Sequence, residues 1–172
     1  HPMCPQVLDY RKTAGGRMPT PSIFQSLPNT PPIFAAYMLG LVLDDLGARG
    51  GLAAVEGEVK AKAAKVYNAI DDSGGFYYNG VDKAYRSQMN APFRIGTAAD
   101  GTPGDRALER AFVEEAAAEA GCHYLFGHPV KGGVRVTMYV GQTEAAIDAV
   151  VAFMKAFAAK HKGAPPQTWS RL

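Results

Sequence analysis

The apolar stripe Val55, Val59, Ala63, Val66 and Ile70 is the feature that most constrains how this chain can fold, because residues at that spacing share one helix face. Glu56, Glu58, Lys60, Lys62 and Lys65 fall on the other side, giving an amphipathic helix that ends near Asp71-Asp72-Ser73-Gly74. Such a helix needs a partner layer. Phe76-Tyr77-Tyr78 reads as a short strand, and Ser87–Ile95 as a second strand with Met89, Ala91 and Phe93 on one face. Pro92 cannot donate to a ladder, which places that strand at an edge or in a bulge. Asp105–Ala120 is an alanine-rich helix with Leu108, Phe112 and Ala116 inward. His123–Phe126 and Val134–Val140 read as strands joined across Pro129-Val130-Lys131-Gly132-Gly133. Thr143 caps a last helix striped by Ile147, Val150, Val151, Met154 and Phe157. This order predicts an α/β chain of α+β kind: a small mixed or antiparallel sheet with helices packed on one face.

A separate helix precedes that unit. In Leu27-Pro28-Asn29-Thr30-Pro31-Pro32, Asn29 or Thr30 can cap a first turn and Pro31 suits the first helical position. The apolar run from Ile33 carries the helix to about Leu46, with Gly47 as its stop. The free N–H groups of such a helix start suit an anion. A capped helix without any ligand satisfies the same residues. Gly50-Gly51 marks the boundary, so residues 1–50 form a leading segment and residues 51–172 a compact domain. Residues 9–30 are rich in Gly, Pro, Ser and Thr and read as a long irregular approach. The end from Gly163, with Trp169, reads as irregular too.

Composition removes several classes of function. Lys and Arg number 18 against 16 Asp and Glu, with no basic block, so nucleic acid is not an expected partner. The apolar run Ile33–Leu43 is interrupted by Gly40 and stopped by Asp44-Asp45, too short to cross a bilayer. The opening HPMCPQVLDYRK lacks the basic start and apolar core of a signal peptide. Cys4 and Cys122 form no CxxC pair and no metal-ligand spacing is present, so no metal is expected and a reducing cytosol fits.

Few residues here carry chemistry. Arg135 follows Gly132-Gly133, where a ligand can approach the backbone, and its planar fork suits a carboxylate. A solvated edge-strand arginine is the plainer meaning. His123 and His128 flank a strand end with Lys131 nearby, and a histidine in a glycine-rich turn is commonly just solvated. No Ser-His-Asp arrangement or phosphate loop occurs.

The runs NTPPIFAAYMLGLVLDDL, GGLAAVEGEVKAKAAKVYNAID, RSQMNAPFRIG and GHPVKGGVRVTMY, with the opening CPQVLDY, stand in an order and at spacings that resemble the phosphoserine aminotransferase family. The resemblance covers residues 4 to about 161 and corresponds to that family's C-terminal half, within the fold-type I, class V enzymes that use pyridoxal phosphate (PLP). It implies that residues 1–50 end the large PLP-binding domain with an interdomain helix, and that 51–172 form the C-terminal small domain. It implies that Asn29 and Thr30 reach the PLP phosphate of the neighbouring subunit in a homodimer. It also implies that Arg135 grips the substrate α-carboxylate and that His128 lies near the substrate phosphate or distal carboxylate. Activity on 3-phosphohydroxypyruvate and glutamate, giving O-phosphoserine and 2-oxoglutarate in the cytoplasm, is the implied function. Another class V enzyme, or a non-catalytic dimerisation module, is the alternative.

Two positions depart from the family pattern. Gly127-His128-Pro129 stands where the family has Gly-His-Arg, and Lys131 is the candidate substitute for the missing charge. Val140 replaces an asparagine. The family's PLP-binding lysine lies upstream of CPQVLDY, so the 172-residue chain alone is expected to be inactive. The break at Gly47–Gly51 is the expected hinge for small-domain movement.

Overall fold

The computed structural model describes residues 30–98 and 100–163. The chain divides into two units, His1–Ala48 and Arg49–Leu172.

In the first unit, α1 spans Ile33–Ala48 and none of its residues is buried. It begins two residues later than Pro31. The carbonyl of Pro32 accepts the first-turn bond from the Ala36 N–H at 3.0 Å. The ring of Pro32 disfavours helical backbone at Pro31, so Thr30 is held away from the capping position. Asn29 lies outside the described residues.

In the second unit, α2 (Gly51–Asp71) is followed by β1 (Tyr77–Tyr78), a 3-10 turn (Lys83–Tyr85) and β2 (Asn90–Ile95). Then come α3 (Arg106–Ala120), β3 (Phe126–His128), β4 (Gly132–Thr137) and α4 (Glu144–His161). Gly50 and Gly51 open α2 with φ of 101° and 71°, a left-handed start that glycine adopts without strain. Thr143 caps α4 as the sequence implies, accepting from the Ala146 N–H, and Asp105, read from the sequence as the first helical residue, caps α3 by accepting from the N–H groups of Ala107 and Leu108.

The four strands are antiparallel throughout, in the order β1-β2-β4-β3. Ala91 lies opposite Val136 and Phe93 opposite Val134. These four, with Ile95, line the buried face beneath α2, α3 and α4, where Val66, Phe112, Met154 and Phe157 close the core. Alternation then places Pro92, Arg94 and Arg135 on the opposite face of the sheet.

Further expectations change in this unit. Pro92 sits on a strand interior to the sheet order, yet β1 is only two residues long and stops at Tyr78. The Pro92 carbonyl accepts from Asn79 Nδ2 at 2.8 Å on that uncovered side, so its missing N–H breaks no ladder bond. Lys62 is buried, 4% exposed, and donates to the carbonyls of Tyr139 and Gln142 at 3.0 and 2.9 Å. It holds the β4–α4 connection rather than joining the solvated charges. The strand expected over His123–Phe126 is displaced to Phe126–His128, because Tyr124 has φ 61°, outside the extended region. Met89 precedes β2 and is 39% exposed rather than inward.

Candidate functional site

The open face of the sheet forms a hollow of about 770 Å³ whose lining includes Arg94, His128, Lys131 and Arg135. Three of the residues singled out from the sequence, Arg135, His128 and Lys131, are thus brought together. Thr30 belongs to the first unit and is exposed.

The β3–β4 hairpin positions the three. The Nδ1 atom of His128 accepts the backbone N–H groups of Val130 and Lys131 at 3.1 and 3.2 Å, so the imidazole closes the turn that carries Lys131. With Nδ1 engaged as an acceptor, the neutral ring carries its proton on Nε2. Gly127 permits the strands to meet: a Cβ there would lie 2.6 Å from the carbonyl oxygens of both Gly132 and Gly133. Gly132 and Gly133 follow with φ of 72° and 84°, and β4 then delivers Arg135, opposite Pro92, to the open face.

The Arg135 backbone is fixed by its N–H bond to the Leu125 carbonyl at 2.9 Å, while its side chain is exposed. Among the described residues no carboxylate pairs with its guanidinium. A planar, unneutralised fork on a rigid strand can take a carboxylate through two parallel hydrogen bonds.

Sequence reasoning passed over Arg94 and Glu109. Glu109 is 5% exposed and sits three residues before Phe112 on the inward side of α3. Its Oε1 accepts from Arg94 Nε at 2.5 Å and its Oε2 from the Gly133 N–H at 3.0 Å. The available signal was a charged residue at helical spacing with the apolar stripe.

The sequence pattern of the aminotransferase class-V family matches residues 19–150, and the chain belongs to that family. Phosphoserine aminotransferase 2, chloroplastic, of Arabidopsis thaliana is 45% identical over 136 residues, 79% of this chain and 30% of that protein. Phosphoserine aminotransferase of Shouchella clausii is 46% identical over 141 residues, 81% of this chain and 36% of that protein. The phosphoserine aminotransferase of Bacillus circulans subsp. alkalophilus superposes with a TM-score of 0.70 at 39% identity, covering 79% of this chain and 35% of that one. A PLP-bound phosphoserine aminotransferase from Trichomonas vaginalis does so with a TM-score of 0.75 at 34% identity, covering 90% and 39%. The chain therefore resembles phosphoserine aminotransferases in sequence and fold and spans about a third of their length. No helix among the described residues is long and apolar enough to cross a membrane.

Proposed function

We propose that this chain is the C-terminal part of a phosphoserine aminotransferase. With the rest of such an enzyme it would exchange an amino group between glutamate and 3-phosphohydroxypyruvate, giving O-phosphoserine and 2-oxoglutarate. The observation that carries this reading is the gathering of Arg135, His128 and Lys131 on one hollow, in a chain whose relatives bear that name. On this reading residues 1–50 end the large PLP-binding domain and residues 51–172 are the small domain of a cytoplasmic homodimer. The apolar surface of α1 is then what the rest of the enzyme covers.

Each group has a physical task. Arg135 holds the substrate α-carboxylate in the plane of its guanidinium, fixing the orientation of the substrate. His128 offers Nε2–H to an anionic oxygen, because its Nδ1 already serves the turn. Lys131, in the same turn, supplies positive charge for the distal phosphate or carboxylate in place of the arginine that Pro129 displaces. Thr30, with Asn29, serves the PLP phosphate of the neighbouring subunit. The fit is supported by an exposed Thr30 whose hydroxyl is engaged by no described residue. When bound, PLP supplies the electron sink for the substrate α-carbon. The contribution of this chain is binding, orientation and charge complementarity.

The test is a substrate panel on a polypeptide that joins this chain to the PLP-lysine part of the enzyme. Phosphoserine with 2-oxoglutarate is expected to be strongly preferred over serine with glyoxylate, and over cysteine. A preference for either of the others would replace this reading with another class V activity. The 172-residue chain, incubated with PLP and reduced with borohydride, is expected to show no stoichiometric label on any one lysine. A single fully labelled lysine would mean the chain holds a cofactor site of its own and would remove the fragment reading.

A further inference from the structure

Gly133 lies two residues before Arg135 on β4, and three elements meet at it. Its N–H donates to Glu109 Oε2 of α3 at 3.0 Å, and the other oxygen of the same carboxylate takes the Arg94 Nε–H of β2 at 2.5 Å. A Cβ at Gly133 would lie 3.0 Å from the Phe93 carbonyl oxygen and 3.1 Å from Arg94 Cδ, so β4 enters the sheet in close contact with both. The Glu109 side chain is 6% exposed and that of Arg94 31%. A carboxylate buried to this degree is costly unless every lone pair facing the protein is used. Here the carboxylate is matched by the Arg94 guanidinium and by one backbone N–H at the start of the strand that presents Arg135.

We propose that Glu109 is a positioning residue: by clasping Gly133 and Arg94 it sets the entry of β4, and so the height and direction at which Arg135 meets an acidic substrate. This rests on the reading of Arg135 as the carboxylate clamp.

The test uses the 15N-labelled 172-residue chain titrated with glutarate, with the dissociation constant taken from the Arg135 Nε–H resonance. Hydrogen exchange at the Gly133 amide is followed in parallel. The unaltered chain is expected to give a saturable shift. Glu109→Gln leaves one acceptor oxygen for the two donors, Arg94 Nε–H and Gly133 N–H, so one of them faces an amide N–H, and is expected to weaken glutarate by about tenfold while unfolding stays cooperative. Glu109→Asp keeps the charge beside Arg94 but draws the carboxylate one methylene back from Gly133, and is expected to weaken glutarate by about threefold with faster Gly133 exchange. Unchanged glutarate affinity in Glu109→Gln, with faster Gly133 exchange, would make Glu109 merely structural and overturn the proposal. Should Glu109→Gln fail to fold, Glu109→Asp decides: weaker binding with faster Gly133 exchange supports the proposal, and unchanged affinity with faster exchange overturns it. No saturable shift at Arg135 in the unaltered chain would instead overturn the clamp reading, and the proposal with it.

Discussion

The imidazole Nδ1 of His128 accepts the backbone N–H of Lys131 at 3.2 Å, so the backbone of one candidate anion-binding residue is held by the side chain of another. Protonation of Nδ1 would remove that acceptor, as well as the 3.1 Å bond from Val130. In the neutral ring the Nε2–H tautomer is therefore expected, and long-range nitrogen–proton correlation spectra of the labelled chain check it. His128→Ala should cost about 1 kcal/mol, because the turn is exposed and water replaces part of what is lost. His128→Asn, with a side-chain carbonyl able to accept from the same turn, should recover some of that stability in thermal unfolding.

Arg135 makes no described ion pair, so its replacement should leave stability within about 0.5 kcal/mol while affecting ligand binding. In an enzyme assembled with the rest of the family's length, Arg135→Lys is expected to raise the KM for glutamate about tenfold or more, since an ammonium cannot reproduce the two-bond fork. Steady-state kinetics with chemical denaturation on the same variant separate the two effects.

Lys62 carries a structural load that a surface lysine would not. Lys62→Met keeps much of the stem but leaves the Tyr139 and Gln142 carbonyls without their donor. A loss of about 2–3 kcal/mol is expected from urea unfolding, in keeping with hydrogen bonds from a charged group. Lys60→Met, on the solvated side of the same helix, should change stability by about 0.5 kcal/mol or less.

Asp71 gives the fold an acid-sensitive contact. Arg86 meets both of its oxygens at 2.9 Å and Lys83 one of them at 2.9 Å, holding its carboxyl down at about 2 against an ordinary 3.8. Between those values the unfolded chain binds more protons than the folded one, so stability rises with pH across that window. The contribution is complete above about 3.8 and is lost as pH falls through about 2. Solvent screening limits it to about 1 kcal/mol. Asp71→Asn should flatten the acid limb of the stability profile, measured by urea unfolding at a series of pH values.

Local physics made much of this architecture legible. The stripe from Val55 to Ile70 specifies α2 because helical periodicity needs only near neighbours, and Thr143 specifies the start of α4 because a cap is a contact over two or three residues. Arg135, His128 and Lys131 could be singled out together because one hairpin carries all three. Register, burial of charge and the exact start of α1 were not legible in the same way. Pro32 displaced the α1 cap through backbone sterics that a capping pattern alone does not weigh.

What the sequence determined by itself was the set of elements, their order, and the hairpin bearing the candidate site, all consequences of contacts between residues close along the chain. Tertiary structure alone decided which groups meet the buried charges of Lys62 and Glu109. Their partners lie 77 and 80 residues away in one case, and 15 and 24 in the other. A charge enters a core only where a complementary group from a distant element arrives to meet it, and no spacing rule in the sequence announces that arrival.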